Sequence, residues 1–155
     1  MQIRKTNQEF NFDKYPTFEK DIDPKQRAWI EVNGKALEKN VIQLRSKLSK
    51  NCQFMAVVKA DGYGHDAKLV SEYAIKGGAS QLGVATLKEG IKLRSSEVKK
   101  PILILGNLYT KRDLIISFKN DLMPTISSIR ECLICNNLGK QFGLKFLLHL
   151  KVDTG

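Results

Sequence analysis

Five short strand-like runs, the first four each trailed by an amphipathic stretch, recur at intervals of roughly 20–25 residues, and this alternation constrains the fold more than any other feature. The runs are residues 54–58, 81–85, 102–105, 122–126 (interrupted by Pro124) and 145–153. The first of them is short, rich in β-branched residues and bounded by glycines, which marks a buried strand rather than a helix. Helix-start signals lie between them. Asp66 precedes the inward-spaced Leu69, Val70, Tyr73 and Ala74, with Gly77-Gly78 as the stop. Thr86-Leu87-Lys88-Glu89 and Ser128-Ile129-Arg130-Glu131 have the form of capping boxes, Thr110 is a cap before Leu114, Ile115 and Phe118, and Gly139 or Gly143 closes the last helix. Upstream, residues 29–32 form a strand candidate, and Asn33 caps a helix whose Leu37, Val41, Leu44 and Leu48 share one face. Such repeats build a parallel sheet with helices against it, either an open doubly wound sheet or part of a barrel. No G-x-G-x-x-G follows any strand, which counts against dinucleotide binding.

The chemistry is concentrated in residues 54–66, Phe-Met-Ala-Val-Val-Lys-Ala-Asp-Gly-Tyr-Gly-His-Asp. Strand alternation puts Met55, Val57 and Lys59 on one face and Phe54, Ala56 and Val58 on the other. Lys59 thus ends a buried strand, where α/β folds place their reactive groups. A partly desolvated lysine titrates lower than usual, and its neutral amine attacks carbonyls. Gly62 and Gly64 let backbone approach a ligand, and Tyr63 between them offers a phenol. A strand-end lysine by itself is commonly a charge carried into water, so the four residues Val-Val-Lys-Ala alone do not define a site.

The full stretch 54–66 closely resembles the pyridoxal-phosphate lysine motif of the alanine racemases. The resemblance continues in Arg27-Ala28-Trp29-Ile30-Glu31-Val32-Asn33, in Pro101-Ile102-Leu103-Ile104-Leu105-Gly106 and in His149-Leu150-Lys151-Val152-Asp153-Thr154-Gly155. It implies a partial (β/α)8 TIM barrel of the alanine-racemase type with about five of the eight strands present. Residues 27–155 would be the N-terminal part of the cofactor-binding barrel domain, with the rest of the barrel and a C-terminal β-domain absent. The resemblance further implies pyridoxal 5′-phosphate carried on Lys59, which also moves a proton on one face of the substrate, and a cofactor-phosphate contact from Tyr63. Lys151 matches a lysine that can be carbamylated and positions an arginine lying just beyond Thr154-Gly155 in the family pattern. The opposite-face proton donor is implied to be a tyrosine from the partner's β-domain. The implied whole is a cytoplasmic homodimer that interconverts L- and D-alanine, supplying D-alanine for peptidoglycan, with this chain alone inactive. A pyridoxal-phosphate carrier or lyase on the same barrel, or a non-enzymatic α/β fragment, is the alternative. The Ala-Asp-Gly-Tyr-Gly-His turn and the closing motif suit racemases better than these.

On residues alone, the row Leu147, His149, Lys151 and Asp153 reads as a buried ion and hydrogen-bond cluster, with Phe146, Leu148, Leu150 and Val152 packed against helices on the other face. Asp61 and His65 are read as holding the turn rather than as chemical groups.

Composition narrows the partners. The 155 residues carry a net charge of +10, from 26 Lys+Arg against 16 Asp+Glu. The excess is scattered, with no basic block interleaved with aromatics, which argues against nucleic-acid binding and leaves anionic small ligands favoured. No apolar run approaches the ~20 residues that cross a bilayer. Residues 1–26 are polar, with Pro16 and Pro24 as breakers, and read as a loosely held extension rather than a secretory signal. The three cysteines form no disulfide framework and suit a reducing cytosol. Cys132 and Cys135 have C-x-x-C spacing but lie inside an expected helix with no second pair, as two partly buried thiols rather than a redox or metal site.

Overall fold

The computed structural model describes residues 2–6 and 28–155. Seven strands and six helical segments alternate in it: β1 (Gln2–Thr6), β2 (Trp29–Asn33), α1 (Gly34–Ser46), β3 (Met55–Val57), α2 (Lys59–Tyr63), α3 (Ala67–Lys76), β4 (Gln81–Val84), α4 (Leu87–Ser95), β5 (Ile102–Asn107), α5 (Lys111–Lys119), β6 (Met123–Ile126), α6 (Ile129–Phe142) and β7 (His149–Leu150). Strands β3 to β7 form one all-parallel sheet in the order β3-β4-β5-β6-β7, each lying beside its predecessor in the chain. Five parallel strands in sequential order with intervening helices are the arrangement of a partial (β/α)8 barrel.

The caps anticipated from sequence are in place. Asn33 accepts from the Ala36 N–H at 3.0 Å, Asp66 from Lys68 and Leu69, and Thr110 from Asp113. Thr86–Glu89 and Ser128–Glu131 are both complete capping boxes. Gly77 caps α3 and Gly143, at φ 64, caps α6. The helix-facing side of the sheet carries Ala56, Leu82, Val84, Ile102, Ile104 and Ile126, which pack with Leu93, Leu114, Leu122 and Leu138 into one core. Each fully buried aliphatic side chain there contributes roughly 1.5–3 kcal/mol. Register places Val57, Gly83, Leu103 and Met123 on the opposite face.

Four expectations are corrected. The last strand is two residues long rather than nine, because it pairs only as Thr125↔His149 and Ile126↔Leu150, with one further bond from the Lys151 N–H to the Ile126 carbonyl at 2.8 Å. Phe146 does stack on Phe118, at 3.6 Å between ring centroids, and Leu148 joins the core. Leu150 and Val152, however, are 67% and 69% exposed. Pro124 does not interrupt β6: it is buried opposite Ile104, and pairing to β5 then skips from Ile104 to Asn107. A proline inside a sheet is tolerated at such an irregularity, where its missing N–H leaves no gap in the ladder. Leu44 and Leu48 share a side with Leu37 and Val41 but are exposed at the far end of α1. Gln2–Thr6, expected within a loose extension, forms β1 and pairs in parallel with β2 as a separate two-stranded sheet. The rest of that extension, including Pro16 and Pro24, lies outside the described residues.

Candidate functional site

At the carboxyl end of β3 the backbone does something unusual. Ala60, Asp61, Gly62 and Tyr63 all have positive φ, at 52°, 54°, 66° and 55°, and Gly64 follows at 83°. Gly62 N–H donates to the Val58 carbonyl and Gly64 N–H to that of Ala60, both at 3.0 Å, so α2 is one left-handed helical turn. Left-handed backbone costs roughly 1–2 kcal/mol for each residue with a Cβ, and three such residues lie here. Strain of this kind persists only where surrounding contacts over-determine it.

Those contacts are explicit. The Ala60 N–H donates to Glu89 Oε1 at 2.8 Å, while Glu89 Oε2 takes the N–H groups of Ala85 at 2.8 Å and Thr86 at 3.1 Å. Lys92 Nζ pairs with Asp61 Oδ1 at 2.9 Å, and the same oxygen accepts from the Ala67 N–H at 3.4 Å. The Lys92 hydrogen bond holds the Asp61 carboxyl below the usual aspartate range against a smaller opposing effect of burial. His65 Nδ1 lies 2.9 Å from the Tyr63 carbonyl and 3.2 Å from that of Gly62. Both partners are acceptors, so Nδ1 carries the proton. Asp61 and His65 therefore hold the turn, as expected. Gly62 does not admit a ligand: it is buried, and a Cβ there would lie 3.0 Å from Val70 Cγ2 and 3.2 Å from Ala67 Cα. Gly64 faces open space.

Lys59 opens this turn half-buried, directly after Val58, which is 1% exposed. Among the described residues its ammonium has no hydrogen-bond or ion-pair partner, and neither does the phenol of Tyr63, which is 58% exposed. Lys59 and Tyr63 thus sit on one turn, both available. Lys151 follows β7 on the same carboxyl edge of the sheet. Four strand spacings separate it from Lys59, about 19 Å measured along the sheet; Lys59 and Tyr63 share one turn, whereas Lys151 follows the strand at the opposite edge of the five-stranded sheet. Nor are His149, Lys151 and Asp153 a buried cluster: all three are exposed, His149 even within β7, and among the described residues Asp153 accepts only from the Gly155 N–H.

Sequence reasoning missed Glu89 and Lys92 as neighbours of the turn. Thr86-x-x-Glu89 was legible as a cap, but nothing local showed that the second carboxylate oxygen would reach 29 residues back to Ala60. The second capping box repeats the arrangement. Glu131 Oε2 takes the Ser127 and Ser128 N–H groups at 2.7 and 3.2 Å, and Asn107 Nδ2 approaches Oε1 at 3.5 Å. Burial pushes the Glu131 carboxyl up, but the donors from Ser127, Asn107 and Ser128 together outweigh it and hold it below the ordinary glutamate range. Of the Cys132–Cys135 pair, one thiol is exposed and the other buried. Among the described residues no group of His, Cys, Asp and Glu is arranged to hold a metal, and no helix is long and apolar enough to cross a membrane.

Comparison with known proteins gives a consistent picture. The family described as "Alanine racemase, N-terminal domain" matches residues 32–155. An alanine racemase of Prochlorococcus marinus is 52% identical over 134 residues, covering 86% of this chain and 35% of the relative, and one of Nostoc sp. is 46% identical over 132 residues, covering 84% and 34%. The chain therefore spans about a third of the length of these relatives. Among solved structures, alanine racemase from E. faecalis superposes with a TM-score of 0.71 at 35% identity, over 80% of this chain and 33% of that one. A histidine racemase from Leuconostoc mesenteroides superposes at 0.72 with 27% identity, over 85% and 35%.

Proposed function

The chain belongs to the alanine racemase family, and from that premise we propose that it forms the lysine-bearing part of a pyridoxal-phosphate-dependent enzyme interconverting L- and D-alanine, with Lys59 as the residue that carries the cofactor. The observation behind this reading is the amine of Lys59, without a partner among the described residues, at the carboxyl end of a parallel strand on a braced left-handed turn that also presents Tyr63. These residues fit the cofactor: a primary amine suits its aldehyde, and a free phenol four residues on suits its phosphate. Pyridoxal phosphate, when bound, supplies the electron sink that makes an amino-acid α-proton removable.

The protein's part is orientation and proton transfer. Val58, buried in the core, anchors the residue before Lys59, and the turn limits where the amine travels. With the cofactor and substrate bound, that amine would hold or return a proton on one face of the substrate α-carbon. Tyr63 binds and orients. Lys151, on the same strand edge, takes the family's carbamylated-lysine role of positioning an arginine. The whole enzyme works as a cytoplasmic homodimer, its partner supplying the proton on the opposite face, and its D-alanine goes to peptidoglycan. The sparse unpaired cysteines are in keeping with that compartment.

The test is covalent trapping. After incubation with pyridoxal 5′-phosphate and reduction with borohydride, the pyridoxyl group should be found on the peptide containing Lys59. Lys59→Ala should remove that label and Lys68→Ala should not. A label concentrated on another lysine would overturn the assignment.

A further inference from the structure

The geometry points to Glu89 as a positioning residue for Lys59: its carboxylate fixes the left-handed turn through the Ala60 N–H and thereby sets the direction in which the lysine amine is presented. This rests on the reading that Lys59 carries the cofactor, and adds to it a residue from a different βα unit.

A capping box requires the glutamate to take backbone N–H groups at the start of its own helix. Glu89 accomplishes this with one oxygen, since Oε2 accepts from both Ala85 and Thr86. Oε1 is left over, and at 2.8 Å it accepts the N–H of the residue directly after Lys59. The turn does not rest on α4 by close packing. A cavity of about 320 Å3, lined by Val58, Ala60, Asp61, Glu89, Lys92 and Leu93 among others, lies between them. Two polar links cross this gap, Glu89 to Ala60 and Lys92 to Asp61. The second is an exposed ion pair, screened by water and therefore weak. The first is a short hydrogen bond to an ionised acceptor, a stronger class. Without it, Ala60 has less to hold it at φ 52°, and relaxation there rotates the backbone immediately beside Lys59.

Glu131 is the internal control. It caps α6 in the same way, yet its spare oxygen faces the Asn107 side chain rather than the lysine turn. A glutamine at position 89 can keep its amide oxygen on Ala85 and Thr86, which saves two bonds. Its NH2 then faces the Ala60 N–H, donor against donor, so the loss falls on the turn. The experiment compares the full 155-residue chain with Glu89→Gln and Glu131→Gln. Each is exposed briefly to substoichiometric pyridoxal 5′-phosphate and quenched with borohydride, and the ratio of pyridoxyl label at Lys59 to that at exposed Lys68 is read by peptide mapping. Glu89→Gln should lower the ratio roughly tenfold, inside the range that misplacing a reacting group produces. Glu131→Gln should leave it within about twofold of the parent, because a merely structural loss does not redistribute label. Should Glu89→Gln fail to fold by circular dichroism, Glu89→Asp reads the same ratio, since it keeps the charge at the cap but draws back from Ala60 by one methylene. An unchanged ratio in the position-89 variant, or an equal fall in both glutamine variants, overturns the positioning role. A parent chain with no preference for Lys59 overturns the cofactor reading itself, and this inference with it.

Discussion

Replacing Gly62 and Gly64 by alanine, one at a time, separates the two physical demands on the left-handed turn. Both glycines have positive φ, 66° and 83°, so each substitution carries the cost of left-handed backbone, about 1–2 kcal/mol. Each also recovers about 0.4–1 kcal/mol by restricting the unfolded chain. At Gly64 nothing lies within 4 Å of the new Cβ, and the sum is a loss of about 1 kcal/mol. At Gly62 the Cβ meets Val70 Cγ2 at 3.0 Å and the Ala67 backbone at 3.2 Å. The valine methyl can yield, whereas backbone at the start of α3 cannot, so overpacking adds about 1–3 kcal/mol. Ala60→Gly runs the other way: at φ 52° the present residue is the strained one, and the change is expected to be neutral or to stabilise by up to about 1 kcal/mol. Urea denaturation followed by circular dichroism at 222 nm gives all three values on one scale. Equal losses at positions 62 and 64 would refute the packing of the turn on α3, and a clear loss at position 60 would refute its left-handed geometry.

The remaining predictions concern other parts of the molecule. Arg94 donates to the carbonyls of Val98, Lys100, Asn120 and Asp121 at 2.6–3.1 Å; these acceptors are half-buried or exposed and water replaces the lost donor, so Arg94→Ala should cost about 1–3 kcal/mol in the same denaturation assay. Glu131 has a folded pKa below its unfolded value; its contribution is therefore complete above the unfolded value and is lost as pH falls through the folded one. Glu131→Gln should accordingly flatten the acid limb of a stability–pH curve, with little change in its slope above pH ~6. Thiol titration should find Cys52 and Cys132 reacting promptly and Cys135 only on unfolding, because burial both shields the last thiol and pushes its pKa up. The isolated chain should leave L-alanine unracemised when supplied with cofactor, since loss of one positioned acid or base costs ~10²–10⁴-fold; turnover like that of a full-length relative would contradict the assigned division of labour.

What was legible in the sequence was what local chemistry decides. Asn33, Asp66, Thr86, Thr110 and Ser128 all cap helices because a cap is settled within three residues of itself. The five parallel strands were visible because each is a short apolar run with a glycine, a proline or a cap beside it. The length of β7 was not, because it depends on how much of β6 is available to pair with, and β6 is only four residues long. Lys59 and Tyr63 were nameable from the motif, but the hand of the turn was not: Ala60 and Asp61 give no sign on their own that they adopt positive φ. Glu89 was legible as a cap, which it is, but not as a neighbour of the turn, since a pattern read along the chain does not report a contact 29 residues away.

The sheet also has a history written into its order. Because β3, β4, β5, β6 and β7 lie side by side in the sequence in which they leave the ribosome, each strand after β3 finds the preceding neighbour already made. No strand waits for a distant one, so the loops to be closed are short and the entropy lost at each step is small. Assembly can therefore proceed as docking onto a growing edge, and the glutamates at positions 89 and 131 act as latches that fasten each new helix start to the unit just laid down. The turn that bears Lys59 is therefore braced only after the α4 segment has been synthesised: until then, Ala60 has no Glu89 carboxylate to bind.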